Sequence, residues 1–357
     1  MSAAALNISA IRRVAIVRCC GLGDVAQMTP LLRQIRADAP EAKIEVFINS
    51  NVACLLDASP WADVVHAVPS EDFLSGKQNP LMGRLWHRVK SCGPYDVLLY
   101  LDLAWLKSLL ARRVAARRRV GFRTEAVKPW QPWDMSVTIP TDYPRNADHT
   151  SLWFLRLWQA ATGAQDRGFS ADLSQLKSRD EPPLRQHIAL VPKAGNAITP
   201  GAVKQWPARY WPALAEGFLA AGWVPVVMGQ AGDLDMASMP AGTLDMQGKH
   251  RIPEAAAYLS RCAGVVANDS GLYHLAMAMG VPAVGLFGPT AVARTGPFRA
   301  SHGVALSAPL PCVPCCATVC TVPAAGRPEH ERPFCLSALQ PAYVCQQALS
   351  HFARFET

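Results

Sequence analysis

Four apolar residues, Val14–Val17, lead into Gly21-Leu22-Gly23-Asp24, after which Met28, Leu31, Leu32 and Ile35 recur at helical spacing. A strand that ends in a glycine turn and feeds a helix opens a doubly wound parallel sheet, and further strands are expected at Ile44–Ile48 and Val97–Leu101. The scheme then starts a second time. His187–Val191 reads as a strand, Pro207–Ala221 as a helix and Val224–Met228 as a strand closed by Gly229. Pro253–Cys262 reads as a helix, Gly264–Ala267 as a strand, Gly271–Met279 as a helix and Val284–Phe287 as a strand. Between the two runs lies GFSADLSQLKSRDEPPLRQ, polar and carrying a proline pair, as linkers do. The expected division is therefore a Rossmann-like domain at 1–168, a linker at 169–186 and a second Rossmann-like domain at 187–340. A closing helix at 341–357 is expected to pack back on the N-terminal domain. Such sheets bind ligands where loops converge at the carboxyl ends of the strands, so with two sheets the expected site is the cleft between them.

Composition narrows the partners. The chain has 357 residues, too many for one ordinary core, and half are apolar while 17% are charged. Eleven cysteines do not make a secreted disulfide scaffold at this size, because those frameworks belong to small domains that lack a core. The start MSAAALNISAIRRVAIVRCC does not read as a secretory signal, and no apolar run approaches the roughly 18 to 20 residues that span a bilayer. A reducing cytoplasm is expected. The net charge of +8 calls for anionic partners, among which nucleic acid, phospholipid headgroups and phosphorylated sugars all qualify.

Three stretches carry chemistry. Gly21-Leu22-Gly23-Asp24-Val25-Ala26 fits the loose dinucleotide fingerprint, yet the second strand ends Phe47-Ile48-Asn49 without the acidic residue that would hold a ribose. A carboxylate at Asp24 would also repel a pyrophosphate on that helix. Asp24 is either a helix cap or a general base displayed at a strand-to-helix turn. Asn268-Asp269-Ser270-Gly271-Leu272-Tyr273-His274 follows a strand and opens a helix, so its Ser-Gly amides offer a phosphate cradle, with His274 one turn further on. Pro192-Lys193-Ala194-Gly195-Asn196 feeds a loop that brings Lys204 to the next helix, where an ammonium can face a diphosphate or simply face water.

Together these blocks resemble the ADP-heptose-dependent heptosyltransferases of glycosyltransferase family 9. The resemblance runs from about Arg13 to Leu336 through VAIVRCCGLGDVAQMTPLLRQIRADAP, YDVLLYLDLAWLKSLLARRVAARRRVGFR, KQWPARYWPALAEGFLAAGWVPVVMG and VVANDSGLYHLAMAMGVPAVGLFGPTAVARTGPF. It implies a GT-B fold, with acceptor on the N-terminal half and ADP-heptose on the C-terminal half, and an inverting transfer that uses no catalytic cofactor. No Asp-x-Asp pair is read as a metal site. By the same resemblance Asp24 is the base and Lys204 neutralises the leaving diphosphate. Gly195, Asn196, Met228, Gly229, Gly248, Asp269, Ser270, Gly271 and His274 bind the donor, and Gly23 and Arg123 meet the acceptor. Cys19 and Cys20 depart from the Ser or Thr usual before the Gly-Asp, and Gln230 stands where a second Gly is common.

Two further features stand apart. Arg112, Arg113, Arg117, Arg118, Arg119 and Arg123 beside KPWQPWD could hold phosphorylated sugars or headgroups, or could form a solvated helix face; nucleic acid is not expected. Cys312-x-x-Cys315 with Cys320 and Cys335 has the spacing of a structural zinc or iron site, and some relatives that heptosylate proteins carry iron at a similar cluster. The expected function is heptose transfer onto a lipopolysaccharide inner-core acceptor, peripherally at the cytoplasmic face of the inner membrane. The alternatives are a protein O-heptosyltransferase, another GT-B enzyme such as an epimerase, or a module that senses ADP-heptose without turnover.

Overall fold

The computed structural model describes residues 5–73, 82–102, 109–125, 133–140, 148–178, 180–194, 202–323, 328 and 332–355. Two compact units emerge, one of Met1–Tyr143 with Thr150–Ala171 and the other of Pro144–His149 with Asp172–Thr357.

In the first unit β1 (Arg13–Val17), β2 (Lys43–Asn49), β3 (Val64–Val68), β4 (Tyr95–Tyr100), β5 (Ala116–Thr124) and β6 (Met135–Ile139) form one parallel sheet in the order β3-β2-β1-β4-β5-β6. Strands β1 and β4 are buried almost throughout, which is why they read as unbroken apolar runs. Helix α1 (Leu22–Asp38) follows β1 and contains Pro30, which removes the N–H that would bond the Ala26 carbonyl. The Thr29 hydroxyl donates to that carbonyl instead, at 2.8 Å, so the helix continues. Helix α2 (Thr150–Thr162) is tied to α1 where Ser151 Oγ donates to Gln27 O at 2.7 Å and Trp158 Nε1 to Asp38 Oδ2 at 2.9 Å.

The second unit repeats the plan. Strands β7 (Leu184–Val191), β8 (Val224–Val227), β9 (Leu244–Asp245), β10 (Cys262–Asn268), β11 (Ala283–Phe287) and β12 (Gly303–Ser307) run parallel in the order β12-β11-β10-β7-β8-β9. Helices α3 (Tyr210–Ala220), α4 (Ile252–Arg261), α5 (Gly271–Ala278) and α6 (Pro341–Phe352) accompany them. Counted within each half, both sheets have the order 3-2-1-4-5-6, and the order reverses between β1 and β4 and between β7 and β10. Among the described residues no helix is long and apolar enough to cross a membrane.

Several expectations need correction. The strand expected third is fourth, because Val64–Val68 intervenes. The basic stretch is a helix face only in part: Arg112 and Arg113 are exposed at the end of a short 3-10 helix, Leu109–Arg113, whereas Ala116–Thr124 is a strand, with Arg118 buried and Arg119 paired to Asp134 at 2.9 Å. The polar linker is not all loop, since Ser174–Leu176 forms a short 3-10 helix and Leu184 already opens β7. The closing helix α6 belongs to the core of the second unit, where Val344, Cys345, Ala348 and Phe352 pack with Trp211, Leu214 and Phe218 of α3.

That packing depends on glycine. A Cβ on Gly264 in β10 would lie 2.6 Å from the Phe352 ring, and one on Gly217 in α3 would lie 2.7 Å from Cys345 Sγ. Gly264→Ala should therefore cost about 1 to 3 kcal/mol by overpacking. Thermal unfolding of the variant checks this, and an undiminished Tm would mean that α6 does not press on β10.

Candidate active site

Arg18 is the first residue after β1, and its side chain is 17% exposed. Its Nη1 donates to Asp102 Oδ1 at 2.7 Å and to the Leu101 carbonyl at 2.8 Å, both just beyond β4. Its Nη2 donates to Asp24 Oδ1 at 2.6 Å. One guanidinium therefore spans the point where the strand order reverses and holds a carboxylate on either side. Burial works against that charge, and the two carboxylates overcome it and keep Arg18 ionised. The turn is braced further: Cys19 N–H donates to Asp102 Oδ2 at 2.8 Å and Cys20 N–H to Asn49 Oδ1 at 2.7 Å. Asn49 thus organises the turn from the position where a nicotinamide enzyme would carry its ribose carboxylate.

Asp24 is held from both of its oxygens. Its Oδ2 accepts the Gly21 N–H at 3.0 Å, a helix cap, and its Oδ1 pairs with Arg18. Its side chain remains 34% exposed. Gly23 lies half-buried in the same first turn. The Cys20 thiol is pushed well up by burial and then by the Asp24 charge, and stays neutral. Arg123 is exposed on β5, with Nε donating to Thr138 Oγ1 at 2.6 Å.

The second unit carries the inverse arrangement. Asp269, just past β10, has a side chain only 5% exposed and accepts from Lys204 Nζ at 2.8 Å. His274 Nε2 lies 3.4 Å from its other oxygen. Asn268 cross-braces the reversal between β7 and β10: its Nδ2 donates to Pro192 O at 2.6 Å, and its Oδ1 accepts the Trp206 N–H at 2.9 Å. Trp206 Nε1 donates to Leu339 O at 2.8 Å, so the segment carrying Lys204 is pinned two residues on. Ser270 caps α5, whose first amides follow Asp269 directly. Lys204, Asp269, Ser270, Gly271 and His274 are therefore brought together. Met228 is buried at the end of β8, Gly229 and Gly248 hold positive φ, and Gly248 N–H donates to Gly229 O at 2.9 Å. Gly195 and Asn196 lie outside the described residues. An Asp-x-Asp sequence does occur, Asp233-Leu234-Asp235, but its carboxylates close turns: Asp233 accepts the Gln230 N–H and Asp235 the Ala237 N–H.

Residues 82–325 match the description glycosyltransferase family 9 (heptosyltransferase). The chain belongs to that family. It is 26% identical over 353 residues to lipopolysaccharide heptosyltransferase 1 of Pseudomonas aeruginosa, covering 94% of this chain and 96% of the relative. A glycosyl transferase of family 9 from Veillonella parvula superposes with a TM-score of 0.72 at 21% identity, covering 98% of this chain and 99% of that one. The dodecameric iron-containing heptosyltransferase TibC of enterotoxigenic E. coli, in complex with ADP-D-beta-D-heptose, superposes with a TM-score of 0.61 at 14% identity, covering 99% of this chain and 78% of that one. Both superpositions establish the GT-B fold. This member of family 9 is a glycosyltransferase.

Arg18 and Asp102 were missing from the sequence reading. Each is the first charged residue after an apolar strand, at the carboxyl end of a strand flanking the reversal, and that position was the available signal. The cysteine cluster is only partly assembled in this family 9 chain. Cys312, Cys315, Cys320 and Cys335 line one pocket with Val203, Pro289 and Phe334. Burial, and then the neighbouring Cys315, Cys312 and Cys320, push the Cys335 thiol up to about 11. Among the described residues no three of these sulfurs come within 4.8 Å of one another. The donor set suits zinc or iron, while the loop is more open than a closed tetrahedral site. Glu45, His66 and Cys92 do come that close, but the Glu45 carboxylate is already taken by Arg13, Lys43 and His66.

Burial alone would push the Asp269 carboxyl up; the His274 hydrogen bond and the Lys204 charge outweigh it and hold the carboxyl well below the usual carboxylate range. A depressed carboxyl contributes its stability in full above its unfolded value and loses it as the pH falls toward the folded one. Asp269→Asn should cost about 3 kcal/mol near neutral pH, because it strips one partner from a buried pair. The gap to the native protein should close as the pH drops below about 4. Denaturant unfolding across that range is the check, and a gap independent of pH would mean that the carboxyl is not held down.

Proposed function

We propose that this chain transfers heptose from ADP-heptose to a hydroxyl of a lipopolysaccharide inner core, with inversion at the anomeric carbon. The observation that carries the reading is the Lys204–Asp269–His274 cluster at the start of α5, in a family 9 chain that is alike to a lipopolysaccharide heptosyltransferase over almost its whole length. Asp24 takes the proton of the acceptor hydroxyl, and the acceptor oxygen bonds to the anomeric carbon. The bond from that carbon to the diphosphate breaks, and its electron pair leaves with ADP. Asp269 holds the Lys204 ammonium through one of its three N–H donors, leaving the others for the diphosphate. With the Ser270 and Gly271 amides they absorb charge where it builds in the transition state. Met228, Gly229 and Gly248 are assigned to the nucleoside side of the donor, and Gly23 and Arg123 to the acceptor. A peripheral place at the cytoplasmic face of the inner membrane accords with the +8 charge, since anionic headgroups attract basic proteins. A protein acceptor is the second reading, and the likeness to a lipopolysaccharide heptosyltransferase over 94% of this chain disfavours it.

Asp24→Asn should lower turnover by about 10² or more, with ADP-heptose binding nearly unchanged, as expected for loss of a base. Incubation of the purified variant and native protein with ADP-heptose and truncated lipopolysaccharides, with products followed by mass, checks both the donor and the residue. Retention of half the native turnover would remove Asp24 from the mechanism, and absence of a heptose-sized mass gain with native protein would remove the substrate assignment.

Cys312, Cys315, Cys320 and Cys335 are further proposed to hold a zinc or iron ion that fixes their loop and takes no part in the transfer. Elemental analysis of protein purified without chelator should find close to one equivalent per chain. Less than about a tenth of an equivalent would leave four thiols and no metal centre.

A further inference from the structure

A base paired to arginine presents a difficulty. An opposite charge at hydrogen-bond distance lowers a carboxyl by roughly one to three pH units, and so weak a base accepts a proton poorly near neutrality. Here the guanidinium is shared. Arg18 gives Nη2 to Asp24 at 2.6 Å and Nη1 to Asp102 at 2.7 Å, so three charges sum to one negative charge around one buried cation. Asp102 is also fixed from its other oxygen by the Cys19 N–H and is more buried than Asp24, 11% exposed against 34%. It is the inner anion, and Asp24 the outer one.

We propose that Asp102 is a positioning residue for the transfer: through Arg18 it aims Asp24 while cancelling enough of the guanidinium charge to keep Asp24 basic. The inference rests on the reading of Asp24 as the base. Titratable groups that face the trio include Cys19 and Cys20 of the same turn and Tyr100 at the end of β4. Tyr100 is pushed well up by burial first and by Asp102 next, so it stays neutral like Cys20 and adds no charge. Asp102 touches neither substrate nor the reacting atoms in this scheme. It acts only by setting how much of Arg18 falls on Asp24.

Two substitutions pull in opposite directions. Asp102→Asn removes the balancing anion and leaves Arg18 wholly to Asp24, so the acid limb of the kcat/KM profile should move down by roughly one pH unit. Its plateau should fall by about threefold to tenfold, as a weaker base implies. Arg18→Gln leaves two carboxylates facing each other, so the acid limb should move up by roughly one unit or more. A merely structural brace would lower activity in both without displacing the limbs in opposite senses. The assay uses native protein and both variants with ADP-heptose and truncated lipopolysaccharide, with Asp24→Asn as control. The free proteins are titrated in parallel by carboxylate carbon NMR, with the Asp24 signal identified from Asp24→Asn. Opposite displacements in the titration support the proposal even if the acceptor is misassigned. An active Asp24→Asn variant overturns the reading of the base. An inactive one, combined with native-like limbs and titrations in both Asp102→Asn and Arg18→Gln, overturns the role of Asp102 alone.

Discussion

Parallel strands ordered 3-2-1-4-5-6 leave one place where neighbouring connections depart to opposite faces of the sheet, and the polar backbone ends exposed there need partners. Both units meet that requirement with a single side chain that spans the gap. In the first, Arg18 reaches from the end of β1 to the Leu101 carbonyl beyond β4. In the second, Asn268 reaches from the end of β10 to the Pro192 carbonyl beyond β7. The residues assigned to chemistry are the immediate neighbours of these two braces. Their positions follow from the demand for closure as much as from the reaction.

The two reversals are electrostatic opposites. One surrounds a buried cation with two carboxylates, and the other surrounds a buried carboxylate with an ammonium and an imidazole. In the proposed function, the surplus of negative charge serves the group that accepts the proton, and the Lys204–Asp269–His274 set serves the departing diphosphate. The same fold is thus used twice with inverted charge at its reversal.

Legibility followed burial. Strands enclosed on both faces, such as Val14–Val17 and Val284–Phe287, stood out as apolar runs, and the helices after them stood out by period. Ala116–Thr124 did not, because its arginines are neutralised by partners distant in sequence: Asp96 for Arg117 and Asp134 for Arg119. The Asp24 and Asp269 motifs were readable as local patterns. Arg18 and Asp102 lie 84 positions apart and acquire meaning only once β1 and β4 are known to be neighbours. The place of α6 was unreadable for the same reason, since its complement is two glycines, Gly217 and Gly264, that carry no hydrophobic signal.

Trp206 gives Lys204 a property that its own contacts do not. Its backbone N–H is held by Asn268 and its indole by the Leu339 carbonyl, so the chain two residues beyond the lysine is immobilised in the core of the second unit. A lysine on a free loop would surrender most of its conformational entropy when an anion arrived. Here much of that loss is incurred during folding, and the ammonium is carried on a short, tethered arm.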